Sequence, residues 1–135
     1  MIMNLKKQKG FTLLETIFVL VIIVTLMTVA LPRYTDLIEK AKVKVVRYVL
    51  GMGCEQVNLV YSKDILTNGK PPSMSRLNEI LNDKKAELTK IGAFTIDYTN
   101  YEDKGIKVKV KDSNAFEMPL GGPFEKTIWL VSDGG

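Results

Sequence analysis

Between Phe11 and Leu31 the chain is apolar and uncharged apart from a single carboxylate, Glu15. The run holds roughly 21 residues and, as a helix rising about 1.5 Å per residue, is about 31 Å long, close to the ~30 Å hydrocarbon core of a bilayer. One membrane span is expected. Lys6, Lys7 and Lys9 precede it with no acidic residue among them. That asymmetry keeps the N-terminus cytoplasmic and sends the remainder across the membrane.

A secretory signal would share the basic lead, but its apolar core is shorter, about 7–15 residues, and ends at a small-residue cleavage site. Here the run is too long, and Thr28-Val29-Ala30-Leu31 offers no A-x-A pattern. An uncleaved anchor accounts for the length but leaves Gly10 and Glu15 unexplained. A carboxylate near the centre of a spanning helix costs about 2.5–3.5 kcal/mol, and intramembrane acids are functional by default. Glu15 lies only one turn beyond Phe11, so it could also reach the interface as a tolerated acid. Both readings stand on the residues alone.

Lys9-Gly10-Phe11-Thr12-Leu13-Leu14-Glu15, the apolar run, and Ala30-Leu31-Pro32-Arg33-Tyr34 together resemble the N-terminus of type IV pilins and type II secretion pseudopilins. Leader, glycine, aromatic, glutamate and helix proline all fall at the family spacing. The resemblance covers about the first 30–55 residues and fades beyond them. It implies that prepilin peptidase cuts between Gly10 and Phe11 and that the new Phe11 amine is N-methylated. It makes Glu15 the assembly glutamate, pairing with the Phe11 amine of a neighbouring subunit, and puts Pro32 where the long helix kinks. In a low-dielectric setting such a pair would fix axial register, because a misplaced subunit leaves both charges unpaired.

The domain plan that follows is a leader at 1–10, a transmembrane and filament-core helix at 11–31, the distal half of the same helix at 32–66, and a globular head at 67–135. The fold class is α+β and pilin-like: a long N-terminal helix whose first half spans the membrane, with a small antiparallel sheet as head. Pro32 cannot supply an N–H to the Thr28 carbonyl and its ring crowds that carbonyl, so a bend rather than an end is expected there. Leu37, Ala41, Val45, Tyr48 and Met52 then recur at three- and four-residue intervals, with Leu59 and Val60 extending them, and this stripe is expected to face the head. Lys40, Lys44 and Arg47 line another face. Gly51 and Gly53 mark either loosening or close packing of another element.

Asn68-Gly69-Lys70-Pro71-Pro72-Ser73 is a loop by its density of breakers. Ser75 is expected to cap a helix running to about Lys90, with Leu77, Ile80, Leu81 and Leu88 as its apolar side. Ala93 to Thr99 reads as a strand, and Ile106-Lys107-Val108-Lys109-Val110-Lys111 alternates strictly, apolar on one face and lysine on the other. Tyr101 to Gly105 forms the hairpin turn, with Gly105 available for positive φ. Lys126 to Val131 is a third strand whose Trp129 brings area to the core. About three antiparallel strands are expected.

The chain has no histidine and one cysteine, Cys54, so zinc binding, Cys/His catalysis and an internal disulfide have nothing to build on. Cys54 reads as a small buried apolar residue, a departure from the disulfide loop common in the family. Asp112, Ser113, Asn114, Glu117 and Asp133 offer oxygen ligands where major pseudopilins commonly hold calcium, but without a ligand framework they read as polar loop residues, and no cofactor is expected. Net charge is +4, and three of those charges are the leader lysines, so the processed chain is nearly neutral and no nucleic-acid partner is expected.

No nucleophile motif or Gly-rich phosphate loop occurs, so an enzyme is not expected. The resemblance implies a structural subunit of a type IV pilus-like filament. Its partners would be further copies of itself, prepilin peptidase, an inner-membrane assembly platform and ATPase, and inner-membrane lipid. It would begin as a single-pass inner-membrane protein with its head extracytoplasmic, and end in a cell-surface pilus or a periplasmic pseudopilus. A secretion pseudopilin, a DNA-uptake pilin and a membrane-anchored binding domain are the alternatives.

Overall fold

The computed structural model describes residues 12–115 and 117–132. The chain divides into two compact units, Met1–Glu39 and Lys40–Gly135. Helix α1, Leu13–Asn68, supplies 56 residues and contributes to both. In the first unit, residues 12–38 are all exposed, the state of a helix that has only lipid or other molecules available to cover it.

In the second unit α1 buries one face. Val46, Val49, Gly53, Cys54 and Val57 are buried, and Val43, Leu50, Val60 and Tyr61 pack around them. These positions recur at three- and four-residue steps, as one helix face requires. They meet Ile96, Tyr98, Ile106, Val108 and Val110 of the sheet, joined by Met74, Leu77 and Leu81, in a single core cluster. Full burial of Leu77 and Leu81 stabilises the fold by about 1.5–3 kcal/mol each. Gly53 is where helix and sheet come closest: a Cβ there would lie 2.9 Å from Val108 Cγ1 and 3.5 Å from Ile96 Cγ2. Gly51 has open space around it.

The expected stripe is therefore the wrong face. Leu37 (65% exposed), Val45 (43%), Tyr48 (71%) and Leu59 (69%) are solvent-facing, as are Ala41 and Met52, and only Val60 packs against the core. The distal helix carries apolar residues on two faces, and the sheet takes the one rich in valine and holding Gly53, which alone permits close approach.

Helix α2 is Met74–Leu81. Ser73, not Ser75, is its N-cap, accepting the Arg76 N–H at 3.3 Å. It also stops well before Lys90. Asn82 ends it by donating its side-chain amide to the Asn78 carbonyl at 2.8 Å and to the Tyr98 carbonyl of the sheet at 3.0 Å. A short polar side chain that bonds backbone competes with continued helix. Turns follow, including Glu87 at φ 52°.

The sheet has four antiparallel strands in sequence order: β1 Lys90–Ile91, β2 Phe94–Tyr101, β3 Gly105–Ser113 and β4 Glu125–Trp129. The expected hairpin is present, with Asp97 opposite Lys109 and Tyr98 opposite Val108. β1, two residues long, gives no periodic signal. The β2–β3 turn takes positive φ at Glu102 (52°) and Asp103 (54°), not at Gly105. Asn100 supports it, accepting the Asp103 N–H at 3.1 Å. Gly105 is needed for another reason: a Cβ there would collide with the Ile128 carbonyl oxygen of β4.

Trp129 does not enter the core. Ile106 pairs with Ile128 and Gly105 with Trp129, so the alternation of the strand aims Ile128 inward and Trp129 outward. Trp129 is 61% exposed and sits edge-on to Tyr101 at 5.6 Å. After β4 the chain is tied back to the helix, where the Tyr61 hydroxyl donates to the Val131 carbonyl at 2.6 Å.

Candidate functional site

The chemistry singled out by the sequence is concentrated at the start of α1. Thr12 precedes the first helical residue, and its side chain and that of Glu15 form a reciprocal cap. The Thr12 N–H donates to Glu15 Oε2 at 3.1 Å, and the Glu15 N–H donates to Thr12 Oγ1 at 3.3 Å. The Thr12 carbonyl accepts the Thr16 N–H at 3.1 Å and the Thr16 hydroxyl at 3.2 Å. This is a capping box: it satisfies two N–H groups that a helix terminus otherwise leaves open and places a carboxylate at the positive end of the helix dipole.

Thr12 is the residue that sequence reasoning missed. Its signal was available, because Thr-x-x-Glu ahead of an apolar run is the capping-box pattern. Glu15 is thus held in a defined position one turn inside the helix. Gly10 and Phe11 lie outside the described residues.

Further along, each hydroxyl returns to the helix backbone. Thr25 donates to the Ile22 carbonyl at 2.8 Å and Thr28 to the Thr25 carbonyl at 2.7 Å. Such bonds remove unsatisfied donors from a segment suited to lipid. Pro32 lies inside α1, where Thr35 donates to its carbonyl at 3.0 Å. Among the described residues, α1 is long and apolar enough to cross a membrane.

In the head, Cys54 is buried, and burial pushes its thiol pKa up, partly offset by Lys126. The Tyr98 hydroxyl donates to Gln56 Oε1 at 2.6 Å, with the Leu88 carbonyl 3.0 Å away. Burial raises Tyr98 to about 12, with a further push from Cys54. Of the polar loop, Ser113 accepts the Ala115 N–H at 3.1 Å and Asn114 donates its N–H to the Ala93 carbonyl at 2.9 Å. Among the described residues no three of His, Cys, Asp or Glu gather as a metal site; Asp133 lies outside them.

Residues 5–31 match the family model of the prokaryotic N-terminal methylation motif. The chain is also 51% identical over 45 residues to the fimbrial protein EcpB of Eikenella corrodens. Those residues make up 33% of this chain and 28% of that protein, so the chain spans under a third of its relative's length. No solved structure matches. The chain thus carries the methylation motif at residues 5–31, followed by a long apolar helix and a small antiparallel sheet, an arrangement consistent with a pilin-like α+β fold.

Proposed function

We propose that this protein is a structural subunit of a type IV pilus-like filament, cut by prepilin peptidase between Gly10 and Phe11, methylated at Phe11 and polymerised through its N-terminal helix. The observation that carries this reading is the exposed apolar helix with a capped, positioned carboxylate at its start. In the precursor the apolar surface is covered by lipid; in the filament the same surface is covered by neighbouring helices. The Glu15 carboxylate then pairs with the Phe11 amine of a neighbour, and the pair sets axial register. Pro32 supplies a weak point, one backbone hydrogen bond short, at which the helix can adjust between the two settings. The fimbrial name of the relative favours a surface pilus over a secretion pseudopilus. Inner-membrane platform and ATPase would drive extraction from the membrane.

Intact-mass analysis of protein purified from its own host tests the pathway. A chain beginning at Phe11 with one added methyl group is expected. A chain that keeps Met1–Gly10, in a host that processes other prepilins, would leave a membrane-anchored head and overturn the reading. Surface filaments containing the protein would distinguish a pilus from a periplasmic pseudopilus.

A further inference from the structure

Trp129 is the chain's one tryptophan, and leaving it 61% exposed forgoes much of the apolar burial that an indole brings to a core. Its setting holds it in place on the outer side of the sheet. Tyr101 and Trp129 both pair with Gly105 of β3, which has no side chain to separate them, and the two rings meet at 79° with centroids 5.6 Å apart. Lys107 Nζ lies 5.2 Å from the Tyr101 ring centroid, so Tyr101 is engaged on both sides and acts as a prop. The indole is the open surface. Exposed tryptophans held in this way are typical anchors of contact sites.

The neighbours on the same outward face decide what can lie on it. The next row across the strands is Thr99, Lys107 and Thr127, and the row after it is Asp97, Lys109 and Glu125. Each row lies two residues, about 6.5 Å, farther along the strands, so hydroxyls and then charges stand beside the indole within reach of one or two sugar rings. Two lysines face two carboxylates there, and Lys107 Nζ is 3.9 Å from Glu125 Oε1. The face therefore has no net charge with which to hold a polyanion such as a nucleic acid. Beyond the two rings it is polar, so a lipid surface or an apolar protein patch would bury little and strip polar groups of water. What fits is a ligand apolar on one face and hydrogen-bonding around its rim. A pyranose ring with equatorial hydroxyls has this form: its axial C–H hydrogens meet the negative face of the indole, and its hydroxyls both donate and accept.

We propose that the outward face of β2, β3 and β4 is a binding site for a neutral oligosaccharide, with Trp129 as the stacking platform, Tyr101 as its prop, and Thr127, Lys107 and Glu125 as partners of the sugar hydroxyls. The site belongs to the head alone. Sugar binding and filament assembly are therefore separate results, and either can fail without the other.

Because Trp129 is the one tryptophan, its fluorescence reads the site directly. The full chain, purified in a detergent without a sugar headgroup, is titrated with cellotriose and with the N-acetylglucosamine trimer. With at least one of them the emission is expected to shift to the blue and acrylamide quenching to fall about twofold, with half-saturation near 1 mM, about the affinity one stacked ring on an open platform supports. Retention on a column bearing the same sugar supplies a readout that survives loss of the tryptophan. Trp129→Ala is expected to lose retention, and Glu125→Ala, on the exposed edge strand, to weaken it about threefold, with thermal unfolding of both close to wild type. Emission unmoved by either sugar at ten times that concentration would overturn the proposal, as would a shift produced by single-stranded oligothymidylate and by neither sugar. Retention of both variants equal to wild type would place the sugar elsewhere and overturn it too.

Discussion

Residues 13–39 and residues 40–68 belong to one helix and both carry apolar faces, yet they solve the problem of covering them differently. The first stretch is exposed at nearly every position and has its polar groups turned back on the backbone, through the Thr12–Glu15 cap and the hydroxyls of Thr25 and Thr28. The second buries a valine-rich face on its own sheet and keeps another apolar face outward. The first is thus stable only where lipid or other subunits surround it, whereas the second carries its own core. Substitutions in the first should change assembly with little effect on folding, and substitutions on the buried face of the second should do the reverse.

The largest expected effect is at Glu15. Glu15→Ala should be processed normally and form no filaments, read as intact mass together with sheared filament yield; wild-type yield would break the comparison at its functional end. Glu15→Gln sharpens it, because glutamine can still accept at this position of a capping box but carries no charge. Loss of filaments in both variants assigns the role to the charge. Filaments in the glutamine variant alone would assign it to the cap.

Next comes Gly53. A valine there would press on Val108 and Ile96, and forcing side-chain atoms into a packed helix–sheet contact costs typically 1–3 kcal/mol. A melting temperature lowered in the full chain, with processing intact, is expected for Gly53→Val. An unchanged melting temperature would mean that helix and sheet do not meet at this point.

Tyr98 gives a smaller effect with a pH signature. Tyr98→Phe removes the hydroxyl that bonds Gln56, at a cost of about 1–3 kcal/mol for the partner left unsatisfied. Because burial raises the folded-state pKa from the ordinary tyrosine value of about 10 to about 12, the folded state holds its proton over a range in which the unfolded chain has lost it. The stability this supplies is complete below pH 10 and declines as pH rises towards about 12. Wild type should therefore lose melting temperature across that window more steeply than Tyr98→Phe, as followed by near-ultraviolet circular dichroism. Parallel curves would show that Tyr98 is not what alkaline pH attacks.

What the sequence could show follows the same division. The apolar run and the alternation from Ile106 to Lys111 are set by local patterns, and the long apolar helix and the hairpin were legible from them. The packing face of the distal helix was not, because Val45–Tyr48–Met52 and Val46–Val49–Gly53 have equally good helical spacing and only the close approach at Gly53 decides between them. Trp129 was misplaced because its direction depends on pairing with Gly105, a long-range register that composition does not encode. The stop of α2 at Asn82 depends on a bond to the Tyr98 carbonyl, again a tertiary partner. At the N-terminus the Thr12–Glu15 cap is a local pattern, Thr-x-x-Glu ahead of an apolar run, and needs no tertiary partner.

The smallest effect separates two glycines on one helical stretch. Gly53 is fixed by the sheet, but Gly51 has nothing within 4 Å of where a Cβ would stand, and its backbone is helical. At Gly51 an added methyl meets no neighbour and only narrows the unfolded ensemble, so Gly51→Ala should stabilise the subunit by up to about 1 kcal/mol. The same substitution at Gly53 should destabilise, because the methyl would lie 2.9 Å from Val108 Cγ1. Opposite signs from one substitution two residues apart, measured by thermal unfolding, are what a helix with one committed and one open face requires. Two shifts of the same sign would mean that the sheet does not distinguish the faces.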